Sequence, residues 1–89
     1  MHDQSTEGRR GLLAALFAAV VIARETERTQ RHLASTVANS TALAQARDST
    51  LRALLAYAGA IDALNWPVPR TILADIQMHQ GMCVHRVTL

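Results

Sequence analysis

The segment "GRRGLLAALFAAVVIARETER" (residues 8–28) decides the fold, because thirteen consecutive residues without charge, 11–23, lie between charged flanks. A helix of thirteen residues rises about 20 Å, whereas the hydrocarbon core of a bilayer is about 30 Å thick. We therefore do not expect the segment to span a membrane by itself. An export signal is an alternative, since Arg9 and Arg10 precede the apolar run and "VIA" (residues 21–23) resembles a cleavage site.

The periodicity of this segment favours a buried helix of a helical bundle. At about 100° per residue, Leu16, Phe17 and Val20 fall on one arc, and most of the alanines fall on the other. A helix that is apolar on all sides is typical of a buried position. We therefore predict that these three side chains are buried and that Ala14 and Ala18 lie against another helix.

The composition predicts an all-α fold. Hydrophobic residues make up 49% of the chain but aromatic residues only 3%. Alanine and leucine dominate, both are strong helix formers, and no alternating β pattern is present. We predict one small domain with an antiparallel hairpin of two helices (about 6–35 and 41–65) and a short third helix (about 69–80), and we expect residues 1–4 to be loose.

Two short segments are candidates for the connections. "STVANST" (residues 35–41) is rich in residues that favour caps and turns, but it lacks glycine and proline, so one long helix remains an alternative. "NWPVPR" (residues 65–70) ends the second helix, and 66–69 form a linker stiffened by Pro67 and Pro69. Gly81 is expected to end the third helix, and residues 82–89 could be strand, helix or coil.

The segment "MHQGMCVHR" (residues 78–86) contains the strongest candidates for metal binding. His79, Cys83 and His85 carry suitable ligand atoms. Gly81 interrupts the expected helix between them, however, and no second His or Cys pair completes a zinc site. We therefore expect neither a metal nor another cofactor.

The sequence offers little for catalysis. Cys83 has histidines nearby, but nothing indicates an oxyanion hole or a third catalytic group. The chain has no glycine-rich phosphate loop, and the aspartates are scattered at helical spacings. We expect no enzymatic activity. The single cysteine cannot form an internal disulfide, which fits a cytoplasmic protein.

Nucleic-acid binding is an alternative function. The apolar spacing from "LRALLAY" to "MCVHRVTL" (residues 51–89) loosely resembles the helical part of a helix-turn-helix or winged-helix domain. That resemblance implies a turn at Gly81, a recognition helix from Val84 to Leu89, and contacts from Arg70 and Arg86 to the nucleic acid. The net charge of only +2 is low for such a protein.

Arginines also form a candidate contact for an acidic partner. Arg24, Arg28 and Arg31 lie within one narrow arc of the first helix, although an ordinary solvated face is the alternative. Arg47 lies in line with the apolar stripe of the second helix. We expect it either to extend its guanidinium into solvent or to meet a carboxylate of a partner.

These observations favour a protein that acts by binding another protein. The apolar helix faces are too extensive for one hairpin to cover, so we expect a homodimer or a complex with a partner protein. A membrane-associated or exported protein remains a further alternative. The predicted interface residues are the large apolar side chains of the two long helices and the linker: Leu12, Leu16, Phe17, Val20, Leu51, Leu54, Leu55, Ile61 and Trp66.

Overall fold

The computed structural model consists of three α-helices and describes residues 2–33 and 37–87, with side chains described for 8–33 and 40–81. The helices are α1 (His2–Leu33), α2 (Val37–Ala63) and α3 (Arg70–Val87). The described residues contain no strand. The predicted all-α fold, with a long hairpin followed by a shorter third helix, is confirmed.

The first two helices begin earlier than expected. α1 includes residues 2–4, which we expected to be loose. α2 begins at Val37 rather than near residue 41. Residues 34–36 lie outside the described part of the chain.

The C-terminus of α2 is capped by a backbone motif centred on Asn65. Asn65 has a φ of 60°, in the left-handed region. The amide of Trp66 donates to the carbonyl of Ile61 (3.2 Å), and that of Asn65 donates to Asp62 (2.9 Å). These two bonds define a Schellman motif, which satisfies carbonyls at a helix end. The helix therefore ends before Pro67, as the sequence predicted.

α3 begins where proline is tolerated and continues further than expected. The amides of Ile72 and Leu73 both donate to the carbonyl of Pro69 at 3.1 Å, so Pro69 caps the helix. The prediction that Gly81 ends α3 is wrong, because the helix continues to Val87. A glycine inside a helix costs only about 1 kcal/mol relative to alanine and does not by itself stop it.

The core lies where the three helices meet. Val20 of α1, Leu54 of α2, and Ile72 and Ile76 of α3 form the buried apolar cluster. The rings of Phe17 and Tyr57 pack beside it with their centres 5.4 Å apart. The molecule is elongated, with a radius of gyration of 15.3 Å. A compact chain of this length has about 12 Å.

Candidate functional site

A buried charged cluster joins all three helices next to the apolar core. Glu27 of α1 and His79 of α3 are each only 3% exposed. Nε2 of His79 lies 2.9 Å from Oε1 of Glu27. Arg31 donates to the other oxygen, Oε2, at 3.1 Å. Since a buried carboxylate is stable only when it is paired, these contacts make the burial of Glu27 tolerable.

Both ring nitrogens of His79 are engaged. Nδ1 lies 2.8 Å from the carbonyl oxygen of Asp75, and Nε2 faces Glu27. A carbonyl and an ionised carboxylate can only accept, so this arrangement suits a ring that carries hydrogen on both nitrogens. Both nitrogens therefore already have a partner within the chain.

The other two metal candidates, Cys83 and His85, have side chains outside the described residues. Among the side chains that the structure describes, no three of the types that bind metal come together.

α2 contributes Arg47 and Thr50 to the cluster. Nε of Arg47 lies 4.0 Å from Oε2 of Glu27 and has no hydrogen-bond partner. Thr50 is fully buried, and its hydroxyl donates to the carbonyl of Ala46 at 3.0 Å. Arg47 therefore approaches a carboxylate, as the sequence suggested, but that carboxylate belongs to its own chain.

The cluster changes the acidity of Glu27. Burial alone raises the pKa of this carboxyl. The hydrogen bond from His79 lowers the pKa, as do the nearby Thr50 hydroxyl, the charge of His79 and the hydrogen bond from Arg31. The lowering contacts outweigh burial and hold the pKa of Glu27 below its ordinary value of 4.5.

The predicted arginine patch on α1 is largely neutralised by carboxylates of the same chain. Arg24 bonds to Asp75 of α3. Arg28 pairs with Glu25 at 3.3 Å, and Arg31 pairs with Glu27. The arginines border a cavity of about 170 Å³, whose remaining lining is Glu27, Asp75, Met78 and His79. Most of the positive charge of these arginines is thus neutralised by carboxylates of the same chain.

The features that suggested a helix-turn-helix are only partly present. Arg70 is exposed at the start of α3. The turn expected at Gly81 is absent, because one helix runs through it to Val87. The side chain of Arg86 and all of residues 88–89 lie outside the described residues. The separate recognition helix that the resemblance implied is therefore not formed.

The predicted interface residues differ in how deeply they are buried. Val20, Leu54 and Ile61 are buried, and Leu51 packs against the core. These four pack inside the folded chain and not on its surface. Leu16 is half-buried. Four members of the predicted set are exposed: Leu12, Phe17, Leu55 and Trp66.

Ala14 and Ala18 of α1 are not covered by another helix within the described residues. Ala14 and Ala18 are both exposed, and Phe17 is more exposed than predicted. α1 carries two apolar stripes that are displaced by one residue, and α2 and α3 cover only one of them.

We call the apolar stripe of α1 that α2 and α3 leave exposed the outer stripe. Its members are uncharged, exposed and spaced alternately by three and four residues: Leu12, Ala15, Ala19, Ile22, Thr26, Thr29 and Leu33.

A groove runs beside the outer stripe, between α1 and α2. One cavity of about 420 Å³ is lined only by uncharged residues: Ala19, Ile22, Ala23, Thr26, Ala46, Ser49 and Ala53. A second, of about 230 Å³, lies towards the start of α1 and includes Leu12, Ala60 and Ala63. No side chain described for α3 (residues 70–81) lines either cavity, so this part of the third helix leaves the groove open.

Within the described residues, no helix is long and apolar enough to cross a membrane. No known protein family matches the chain, and no curated protein or solved structure shows significant similarity to it.

Proposed function

We propose that this protein acts by binding another polypeptide through the outer stripe of α1 and the adjoining groove, and not by catalysis. The observation that carries the proposal is the exposure of an uncharged helical surface whose centre, Ile22, is 66% exposed. Large contiguous apolar patches on small proteins mark interaction sites. The proposed roles are those of a regulator, inhibitor, adaptor, chaperone or assembly subunit, in the cytoplasm.

The shape of the surface favours a helical partner. Alanines line the groove on both sides, as with Ala19 on α1 and Ala53 on α2. Small side chains let a neighbouring helix approach closely, and helix-in-groove binding is a common recognition mode. A membrane surface fits less well, because interfacial helices combine bulky apolar residues with a strongly basic face.

Site-specific photocrosslinking in the cells that express the protein tests the proposal. Ile22→p-benzoyl-phenylalanine places the probe in the outer stripe. Leu73→p-benzoyl-phenylalanine is a matched control, since Leu73 is also a large, exposed apolar residue but belongs to α3. We expect a covalent protein adduct from position 22 and none from position 73. Equal adducts from both positions, or adducts with lipid alone, would contradict the proposal.

A further inference from the structure

We infer that the partner of the outer stripe is a second copy of this chain, and that the two α1 helices pair antiparallel about a two-fold axis at Ile22. This inference rests on the proposed function, because it names the polypeptide that occupies the same surface. It is argued from the symmetry, the spacing and the area of that surface.

The outer stripe has a nearly palindromic order of side-chain sizes. It begins and ends with a leucine, has Ile22 at its centre, and has smaller residues between these three. In an antiparallel pair centred on Ile22, Leu12 meets Leu33 of the second copy and Ala19 meets Thr26 of the second copy. An interface between identical copies must be self-complementary in this way. The stripe lacks charge, so no like charges face each other across the axis.

The spacing of the outer stripe is that of a coiled-coil seam. Steps of three and four residues average 3.5 residues, and this repeat keeps one stripe of a supercoiled helix facing a neighbouring helix. The adjoining face of α2 carries small residues at the same steps, at Ser49, Ala53, Ala56, Ala60 and Ala63. Two hairpins that pack through these faces form a four-helix bundle, with one α3 on each outer side.

The exposed area is sufficient for a dimer of this kind. The chain exposes 6381 Å². A compact monomer of the same mass exposes about 5,100 Å². The excess, about 1,300 Å², is more than the roughly 800 Å² that each partner contributes to a standard interface. The excess is therefore large enough to include one partner's share of a standard interface.

Sedimentation equilibrium of the full chain at micromolar concentration tests the inference. We expect a mass twice that of the 9.7 kDa monomer. Ile22→Arg places two like charges together at the axis, so its dissociation constant should rise by about a hundredfold or more. Leu73→Arg makes the same kind of change on α3 and should leave the mass unchanged. Circular dichroism checks that both variants remain helical.

Disulfide trapping tests the orientation of the two helices, in a background that carries Cys83→Ser. When Leu12→Cys and Leu33→Cys chains are mixed and mildly oxidised, the antiparallel pair should give the disulfide between positions 12 and 33. Two copies of Leu12→Cys should not link, because their α-carbons lie about 31 Å apart in that arrangement. Disulfides need α-carbons within about 7 Å.

The outcomes separate the inference from the proposed function. A dimer that Ile22→Arg dissociates supports both. A monomer that still gives an adduct with a different protein at position 22 overturns the self-association and leaves the proposed function standing. A monomer without a protein adduct overturns both. A dimer that resists Ile22→Arg, or that links two copies of Leu12→Cys, overturns the antiparallel arrangement.

Discussion

Oε1 of Glu27 and Nε2 of His79 lie 2.9 Å apart, and this contact fastens α1 to α3 across 52 positions of sequence. Arg31 and Arg47 lie close to the other oxygen of the Glu27 carboxylate, Oε2. Burying a charge is costly unless the charge is paired. Because the buried charges are paired only when α3 lies in this position against the hairpin, the cluster favours that position. The stability of the fold should therefore depend strongly on Glu27.

Replacing Glu27 should be far more damaging than replacing its exposed neighbour Glu25. Glu27→Ala leaves the buried His79 without its partner and removes the acceptor of Arg31, so we expect a loss of about 3 kcal/mol in the free energy of unfolding. Glu25 makes only an exposed ion pair with Arg28, so Glu25→Ala should cost less than about 0.5 kcal/mol. Urea denaturation measures both. Similar losses for the two variants would show that the buried cluster does not stabilise α3.

The cluster should also make stability depend on acid pH. The pKa of Glu27 in the folded chain lies below the ordinary 4.5, so ionised Glu27 favours folding above pH 4.5. That stability is lost as the pH falls from 4.5 through the folded pKa. The groups that face Glu27 are His79, Thr50, Arg31 and Arg47, and of these His79, Thr50 and Arg31 lower its pKa.

Urea midpoints measured between pH 6 and pH 3 test this dependence. The wild-type midpoint should fall more steeply than that of Glu27→Gln, which cannot ionise at this position. Glu25→Gln serves as the control and should keep the steep wild-type decline. Parallel curves for the wild type and Glu27→Gln would count against the link between Glu27 and acid sensitivity.

The Schellman motif at the end of α2 makes a conformational prediction. Asn65 has a φ of 60°, which glycine adopts without strain and β-branched residues adopt rarely. Asn65→Gly should leave the melting temperature unchanged or slightly higher, while Asn65→Val should cost about 1–2 kcal/mol. Thermal unfolding followed by circular dichroism compares the two. Equal melting temperatures would mean that the backbone at this turn relaxes freely.

The sequence was sufficient to predict the three helices but not all of the residues at which they begin and end. Alanine-rich and leucine-rich segments with proline between them predict three helices in this order. The continuation of α3 beyond Gly81 was not predicted, because a local rule assigned the glycine as a stop. The contacts of Ile76 and His79 with the hairpin show that α3 is fixed by tertiary packing, which can outweigh such a local preference.

The buried cluster was harder to foresee because its members are far apart in sequence. One signal was present: Glu27 continues the steps of three and four residues through Leu16, Val20 and Ala23, which face the interior. A charged residue in such a register indicates a buried partner. Which residue pairs with it depends on how α3 packs, and the spacing within one helix does not contain that information.

The exposed face of α1 was predicted incorrectly for a different reason. Leu16, Phe17 and Val20 were grouped on one arc because the large apolar side chains were assigned to one side of the helix and the alanines to the other. The segment in fact belongs to two stripes, displaced by one residue, and Leu12 and Ile22 lie on the exposed one. The uncharged positions continue past Ala23 at Thr26 and Thr29, and this continuation distinguishes the two stripes.

Adjacent leucines of α2 provide the most direct test of how the core is arranged. Leu54 is fully buried, whereas Leu55 is 44% exposed. Leu54→Ala removes buried methyl groups and leaves a cavity beside Val20 and Ile76, so it should cost about 2–5 kcal/mol. Leu55→Ala should cost less than about 1 kcal/mol, since much of its surface already meets solvent.

Chemical denaturation of the two variants at one protein concentration gives the comparison, and equal denaturant slopes confirm that both unfold as the wild type does. Because helix propensity differs little between leucine and alanine, the difference between the variants reports packing alone. If Leu55→Ala lowered the free energy of unfolding more than Leu54→Ala, Leu55 and not Leu54 would face the core. α2 would then be rotated about its axis by about one residue, and Ala53, which lines the groove, would turn away from α1.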